Sequence, residues 1–392
     1  MSEKRKDSKG RILRTGESQR ANGTYMYRYN DIRGKRQSIY APTLAELREK
    51  QKEIARDLDD EIDYAAGQIS VIDQVDKYLA TRRNFREKTK ATYADSRKWI
   101  VKHEISQKCI RDVKPSEAKQ FVVWLSDQGL SFQTVCLVKA LLSPAFDLAV
   151  DDKVLRHNPF QFKLKDVIPK NAAERQGLTP MQKEAFLEFL RTDHVGQRYY
   201  DVAIVLLGSG MRISELCGLT LNDIDFVEKK IVVYKQLLYL NHHGLYVDFP
   251  KTESGNRCIP MTEEVCSALK RIISQRPTPN VEPVVDGYSG FLFIGRQGNP
   301  KKAKNFQVSL KTLVDRYNQS HSETLAITPH VLRHTFCSDL VADKIDPKSL
   351  QYIMGHHDLK ITMQIYTHTN YDRVAQAIQE IEHRRASQKQ VI

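Results

Sequence analysis

The spacing of hydrophobic positions changes several times along the chain, and each change predicts an element. TYMYRYND at 24–31 alternates aromatic and polar residues, the pattern of a half-buried strand. RQSIY at 36–40 can pair back with it across a turn at Arg33–Gly34–Lys35, and an earlier short strand is expected around Gly10–Arg14. From about 44 to 62 the period lengthens. Leu44, Leu47, Gln51, Ile54 and Leu58 share one face of a helix introduced by Pro42 and Thr43. Ala65–Gly67 marks a boundary, and from about 70 to 165 the pattern is helical. Val71, Val75 and Leu79 fall four apart in 70–83, and Tyr93, Trp99 and Ile100 punctuate 88–103. Ser116 is the expected cap and Gly129 the stop of 114–129. The long apolar stretch 131–154 contains Pro144, which predicts a kink or break.

After a linker at 161–176, Thr179 and Pro180 open a helix over 178–190. DVAIVLLGSGMRISEL then gives a buried helix, the small residues Gly208–Ser209–Gly210, and Arg212 leading a further helix with Glu215 one turn on. Strands are expected at 230–234 and 246–249. A hairpin is expected over 250–260, with Ser254–Gly255–Asn256 as its turn and Lys251 just before it. Helices at 262–275 and 304–319 flank a proline-rich loop at 277–283 and an FLF segment at 291–293. Thr328 and Pro329 cap the next helix, with His330 in its first turn and Arg333 three residues on. Asp346 and Pro347 repeat that signature, and Gly355 suits a left-handed stop that leaves His356 in the turn. Asp358 can cap a short helix carrying Tyr366. A last helix at 371–386 places Val374, Ile378 and Ile381 on one stripe.

Composition sharpens this outline. A chain of 392 residues implies two or three domains, and its net charge of +13 with a pI near 9.3 points to a polyanionic partner, most often nucleic acid. The first 40 residues hold eleven Lys and Arg against four Asp and Glu, more than half of the whole excess. Arg28, Arg33, Lys35 and Arg36 on the first hairpin are candidate DNA contacts, as are Lys88, Lys90, Arg97 and Lys98 in the helical region. The six cysteines, Cys109, Cys136, Cys217, Cys258, Cys266 and Cys337, form no CxxC pair, so neither a zinc ribbon nor a disulfide framework is supported. Reduced thiols and the absence of an apolar leader or membrane span fit a cytoplasmic protein.

Taken singly, a helical His–Arg pair is usually a solvated one, and a lone tyrosine is usually a packing residue. The combination changes the weighing. Gly210-Met-Arg-Ile-Ser-Glu-Leu, the hairpin lysine Lys251, His330-x-x-Arg333-His334, Leu350 with His356 six residues on, and Tyr366 together resemble the signature of the tyrosine recombinases of the phage-integrase family. The resemblance spans about 178–368 with order and spacing intact. The layout is most similar to lambda-type integrases of conjugative transposons.

The resemblance implies a mainly α, multidomain architecture. Residues 1–66 would form a small α+β arm-binding module, a three-stranded sheet plus a helix. Residues 67–165 would form a helical core-binding domain, and 174–392 a mostly-α catalytic domain with a small β-sheet and a tail helix. It also implies roles. Arg212 and Arg333 clamp the phosphate, Tyr366 is the nucleophile, and His330 assists its proton. Lys251 protonates the leaving oxygen, His356 donates to the phosphate, and Glu215 supports the arginines. Lys235 is a weaker rival of Lys251, and Tyr371 lies outside the family's spacing. No cofactor and no metal are implied; a zinc cluster of His330, His334, His356 and His357 fits less well than phosphate binding. The implied activity is integration and excision of a mobile element through a covalent 3′-phosphotyrosine and a Holliday junction. The implied partners are double-stranded DNA at core and arm sites and three further copies in a DNA-bound tetramer. An excisionase and a host DNA-bending protein are further candidates, and no membrane is involved. Two alternatives remain at this point: a type IB topoisomerase-like enzyme, and a non-catalytic architectural DNA-binding protein.

Overall fold

The structure, a computed structural model, describes residues 5–60, 62–63, 66–82, 84–170, 177–250 and 253–366, without the side chains of 57 and 364–366. The chain divides into two compact units, Met1–Ala173 and Glu174–Ile392. Of the expected features, Lys251 and the helix at 371–386 lie outside the described residues.

The first unit begins with an antiparallel sheet of β1 (Glu17–Gln19), β2 (Tyr25–Asn30) and β3 (Arg36–Ala41), in that order, covered by α1 (Leu44–Asp59). The register pairs Arg28 with Ser38 and Asn30 with Arg36. The inward parity of the strands supplies Tyr25 and Ala41 to a small core with Leu44 and Leu47. Gln51, read above as part of the apolar face, bonds instead to the buried carboxylate of Glu17, which also receives Arg48. The third strand is β1. The segment around Gly10–Arg14 contributes only the bridge Lys6–Ile12. Here Asp7 turns the chain by accepting from the backbone of Lys9 and Arg11, so the local polar bonds win over strand pairing.

Four helices follow: α2 (Val71–Thr81), α3 (Glu87–Val101), α4 (Pro115–Asp127) and α5 (Phe132–Asp151). Helix α4 starts before the expected Ser116. Pro115 takes the first position and the Glu117 carboxylate accepts the Lys114 N–H at 2.8 Å. Helix α5 runs through Pro144 without breaking, because burial of Val138, Leu141, Leu142, Ala145 and Phe146 on one side outweighs the lost hydrogen bond. By length and composition α5 is also apolar enough to span a bilayer. In this fold it is the central helix of the bundle, packed against α2 and α3.

The second unit contains α6 (Pro180–Thr192), α7 (Gln197–Ser209), α8 (Ile213–Gly218), β4 (Ile224–Asp225), β5 (Lys230–Val233), β6 (Gln236–Leu240), β7 (Gly244–Asp248), β8 (Arg257–Pro260), α9 (Glu263–Ser274), α10 (Ala303–Ser320), α11 (Pro329–Ala342), α12 (Pro347–Met354) and α13 (Leu359–Tyr366). The segment 250–260 does not fold on itself as expected. Ile259 pairs with Ile231, so β8 joins β5 and β4 in one sheet, while β6 and β7 form a separate hairpin inserted between them. The apolar parity of β8 decides this: Ile259 is buried in the same core as Ile231 and Val233.

Candidate active site

The site is assembled from four short segments of the second unit, each started or stopped by a local signal. Gly210 ends α7 in a left-handed conformation at φ 61°, and a Cβ there would meet Phe336 at 2.3 Å. Glycine is therefore required both for the turn and for its close approach to α11. The turn delivers Arg212 to the cap position of α8, where the Glu215 carboxylate accepts its backbone N–H at 2.9 Å and its Nη1 at 2.7 Å. Thr328 and Pro329 begin α11 as expected, with Thr328 Oγ1 accepting the Val331 N–H. Arg333 is consequently aimed inward and buried, while His330, one turn earlier, is exposed. Asp346 caps α12, and Gly355 stops it at φ 60°. His356 follows in the turn.

Backbone carbonyls hold the arginines from behind. Arg333 Nη1 donates to Gly210 O at 2.6 Å and its Nη2 to Met354 O. Arg212 Nη2 donates to Gly355 O at 3.2 Å. A carbonyl fixes a guanidinium without neutralising it, and each arginine keeps further N–H groups for a ligand. His356 Nδ1 lies 3.0 Å from the hydroxyl of Thr362, a fully buried residue of α13, which leaves Nε2 for a ligand. Arg212, Gly355, His356 and His357 face a cavity of about 570 Å³.

The electrostatics follow from burial and from an excess of positive charge. Burial alone would raise the Glu215 pKa, but the bond from Arg257 and the charges of Arg257, Arg212 and Arg333 bring it down to about 2. Burial, then the neighbouring Arg212, pushes Arg333 down to about 9, still charged at neutral pH. Burial and the charges of Arg333, Arg212, Arg257 and His330 push His356 down to about 4, so its imidazole is neutral near pH 7. Three guanidiniums thus share one carboxylate, an arrangement suited to an anion.

Of the expected site residues, the structure brings together Arg212, Glu215, Arg333 and His356, with His330 near enough to affect His356. Tyr366 ends α13, the helix whose Thr362 meets His356; its side chain and Lys251 lie outside the described residues. Lys235 also faces the cavity, but its ammonium is paired with the buried carboxylate of Asp223 and bonds Tyr234 Oη at 3.1 Å. Arg257 was not singled out from the sequence. Its signal is a charged residue sharing inward parity with Ile259 in the alternation of β8. Thr362 carried no sequence signal.

The candidate DNA contacts sit elsewhere. Arg28 and Arg36 project from the exposed face of the first sheet beside Asn30 and Ser38, and Arg33 and Lys35 stand in its turn, with Arg33 paired to Asp63. Lys88 is exposed on α3. Lys90 and Lys98 pair there with Glu87 and Asp95 at 2.7 and 2.8 Å, and Arg97 is forked onto Asp76 at 2.7 and 2.6 Å.

The family model described as the phage integrase family matches residues 176–373, and that of the DNA binding domain of Tn916 integrase matches residues 1–58. The chain is 38% identical over 391 residues to the transposase from transposon Tn916 of Enterococcus faecalis, covering 95% of each. The same figures hold for the transposase from transposon Tn1545 of Streptococcus pneumoniae. Among solved structures, the Tn1549 transposon integrase in complex with a circular intermediate DNA is 38% identical, with a TM-score of 0.75, over 80% of this chain and 99% of that one. The chain belongs to the phage integrase family, and it is a tyrosine recombinase. Within that family it is a Tn916-like integrase.

Proposed function

We propose that the second unit cleaves and rejoins double-stranded DNA at a core site, through a covalent tyrosine intermediate, to integrate and excise a conjugative transposon. The observation that carries this is the convergence of Arg212, Arg333 and His356 around Glu215 beside one cavity, with positive charge in excess. A phosphodiester gains a second negative charge as its phosphorus becomes pentacoordinate. Planar, permanently charged guanidiniums match the two non-bridging oxygens, and their prior fixation by carbonyls removes reorganisation from the barrier. Tyr366 Oη attacks phosphorus, forming a 3′-phosphotyrosine and breaking the bond to the 5′-oxygen. His330 takes the tyrosine proton, and Lys251 gives one to the leaving 5′-oxygen. His356, neutral and oriented by Thr362, donates from Nε2 to the phosphate. The 5′-hydroxyl of the partner strand then attacks the phosphotyrosine and regenerates Tyr366. Because the ester bond is exchanged rather than hydrolysed, no nucleotide energy source is consumed. The engagement of Lys235 with Asp223 supports Lys251 as the acid, since a proton donor to DNA would have to leave that pair.

In this reading residues 1–66 bind distal arm sites through Arg28, Arg33, Lys35 and Arg36, residues 67–165 bind the core site through Lys88, Lys90, Arg97 and Lys98, and residues 174–392 carry catalysis. The match of residues 1–58 to a DNA-binding domain and the separate cores of the sheet module and the helical bundle support the division. Strand exchange between two duplexes calls for four protomers, with an excisionase and a host bending protein acting on direction. The protein works in the bacterial cytoplasm, at the nucleoid.

The test uses nicked duplexes copied from the DNA ends of the mobile element, so that the cleaved strand diffuses away. A detergent-stable protein–DNA adduct joined at a 3′-phosphate, formed without magnesium or ATP by the wild type and not by Tyr366→Phe, is the expected result. No adduct on any of these duplexes would instead point to a DNA-binding protein whose catalytic set is idle.

A further inference from the structure

Arg257 has no part in the chemistry above, and it does not face the cavity. It is nonetheless buried, at a strand position where the alternation would ordinarily place an aliphatic residue. Burying a guanidinium costs several kcal/mol unless its donors are satisfied, and the bonds of Arg257 run to three separate parts of the site. Its Nη2 donates to Glu215 Oε2 at 2.7 Å and its Nη1 to Glu215 Oε1 at 3.3 Å. Its Nε donates to Ile353 O at 2.7 Å, at the end of α12, and Nη1 also reaches Gly255 O at 3.3 Å.

Each contact lies one step from a residue with a proposed role. Glu215 holds both the backbone and the side chain of Arg212. Ile353 precedes by three residues His356, and Met354, next in line, supplies a carbonyl to Arg333. Gly255 closes the turn that follows Lys251. A second observation agrees. A Cβ on Gly355 would come within 3.0 Å of Arg257 Nη1 and 3.2 Å of Ser254 O, so the turn carrying His356 is seated directly on this guanidinium.

We propose that Arg257 is a positioning residue that holds the Arg212 segment, the His356 turn and the Glu253–Gly255 turn in register for phosphate cleavage. This rests on the reading under Proposed function. An arginine can serve this purpose where a lysine cannot, because its planar fork spans a carboxylate and a carbonyl at once.

The experiment measures single-turnover adduct formation on the nicked duplexes, alongside equilibrium binding to the same DNA. Arg257→Gln should lower the maximal cleavage rate by about a hundredfold, the scale of a misplacement near 1 Å. Its Kd should change by no more than about threefold. Arg257→Lys, which keeps the charge and one bond to Glu215, should recover about a tenth of the wild-type rate. Should the single variant fail to fold, the double variant Glu215→Gln/Arg257→Met removes both buried charges together. It should fold, bind DNA and cleave no faster than Glu215→Gln alone, because the two residues act on Arg212 in series. Full-rate cleavage by Arg257→Gln, or rate and affinity falling in parallel, would overturn the proposal. A wild type that forms no adduct removes the recombinase reading itself and this inference with it.

Discussion

The two basic surfaces of this protein are built in opposite ways. In the first unit Arg28 and Arg36 stand on an exposed sheet face, and the lysines of α3 meet carboxylates only in solvated pairs. Such pairs contribute about 0–1 kcal/mol each and yield readily to a phosphate. In the second unit Arg333 and Arg257 are buried; the donors of Arg333 end on carbonyls, and those of Arg257 on carbonyls and the Glu215 carboxylate. On the proposed reading, the first design would let the side chains find DNA, and the second would make the phosphate fit a frame set in advance. Binding tolerates adaptable cations, whereas stabilising a charge that exists only in the transition state requires fixed ones.

Substitutions separate the two designs. Arg333→Ala should lose at least about a thousandfold in cleavage rate, the upper range for deleting one preorganised donor. A single-turnover rate within tenfold of wild type would break the comparison at its strongest point. Glu215→Gln should cost about 3–5 kcal/mol of stability, since it leaves Arg257 buried without its paired carboxylate, and should slow cleavage as Arg212 loosens. Urea unfolding measures the first effect and adduct formation the second. Arg28→Ala and Arg36→Ala should leave core-site cleavage unchanged, weaken arm-DNA binding by a few-fold, and each reduce the salt slope of that binding by about one.

The smallest effect concerns pH. His356 has its pKa lowered to about 4 in the folded chain, against 6.5 when unfolded. Its contribution to stability is therefore complete above pH 6.5 and is lost progressively as the pH falls toward 4. His356→Gln should flatten that part of a urea-midpoint profile and leave the profile above pH 7 unchanged.

Much of the site is legible because the signals that build it are local. Thr328–Pro329, Asp346–Pro347 and Gly355 each act within one turn of helix, and they place Arg333 and His356 without reference to the rest of the fold. The same is true of Gly210 and Arg212. What escapes is whatever depends on distant partners. Lys235 is committed to Asp223 twelve residues back, a pairing across a strand turn that no periodicity reports. The inward parity of Arg257 becomes meaningful only once β8 pairs with β5, and the inserted β6–β7 hairpin made 250–260 read as a hairpin of its own. QLLYL in β6 lacks clean alternation, with only Leu237 fully buried, so that strand was invisible.

The bond between His356 and Thr362 has a mechanical consequence. Thr362 lies four residues before Tyr366 on α13, so one turn of helix joins the ring proposed to meet the phosphate to the backbone of the proposed nucleophile. Any excursion of α13 that withdraws the tyrosine must also release the imidazole. The two are interlocked like a bolt and its latch, and a protomer whose α13 is undocked is disarmed at both points at once.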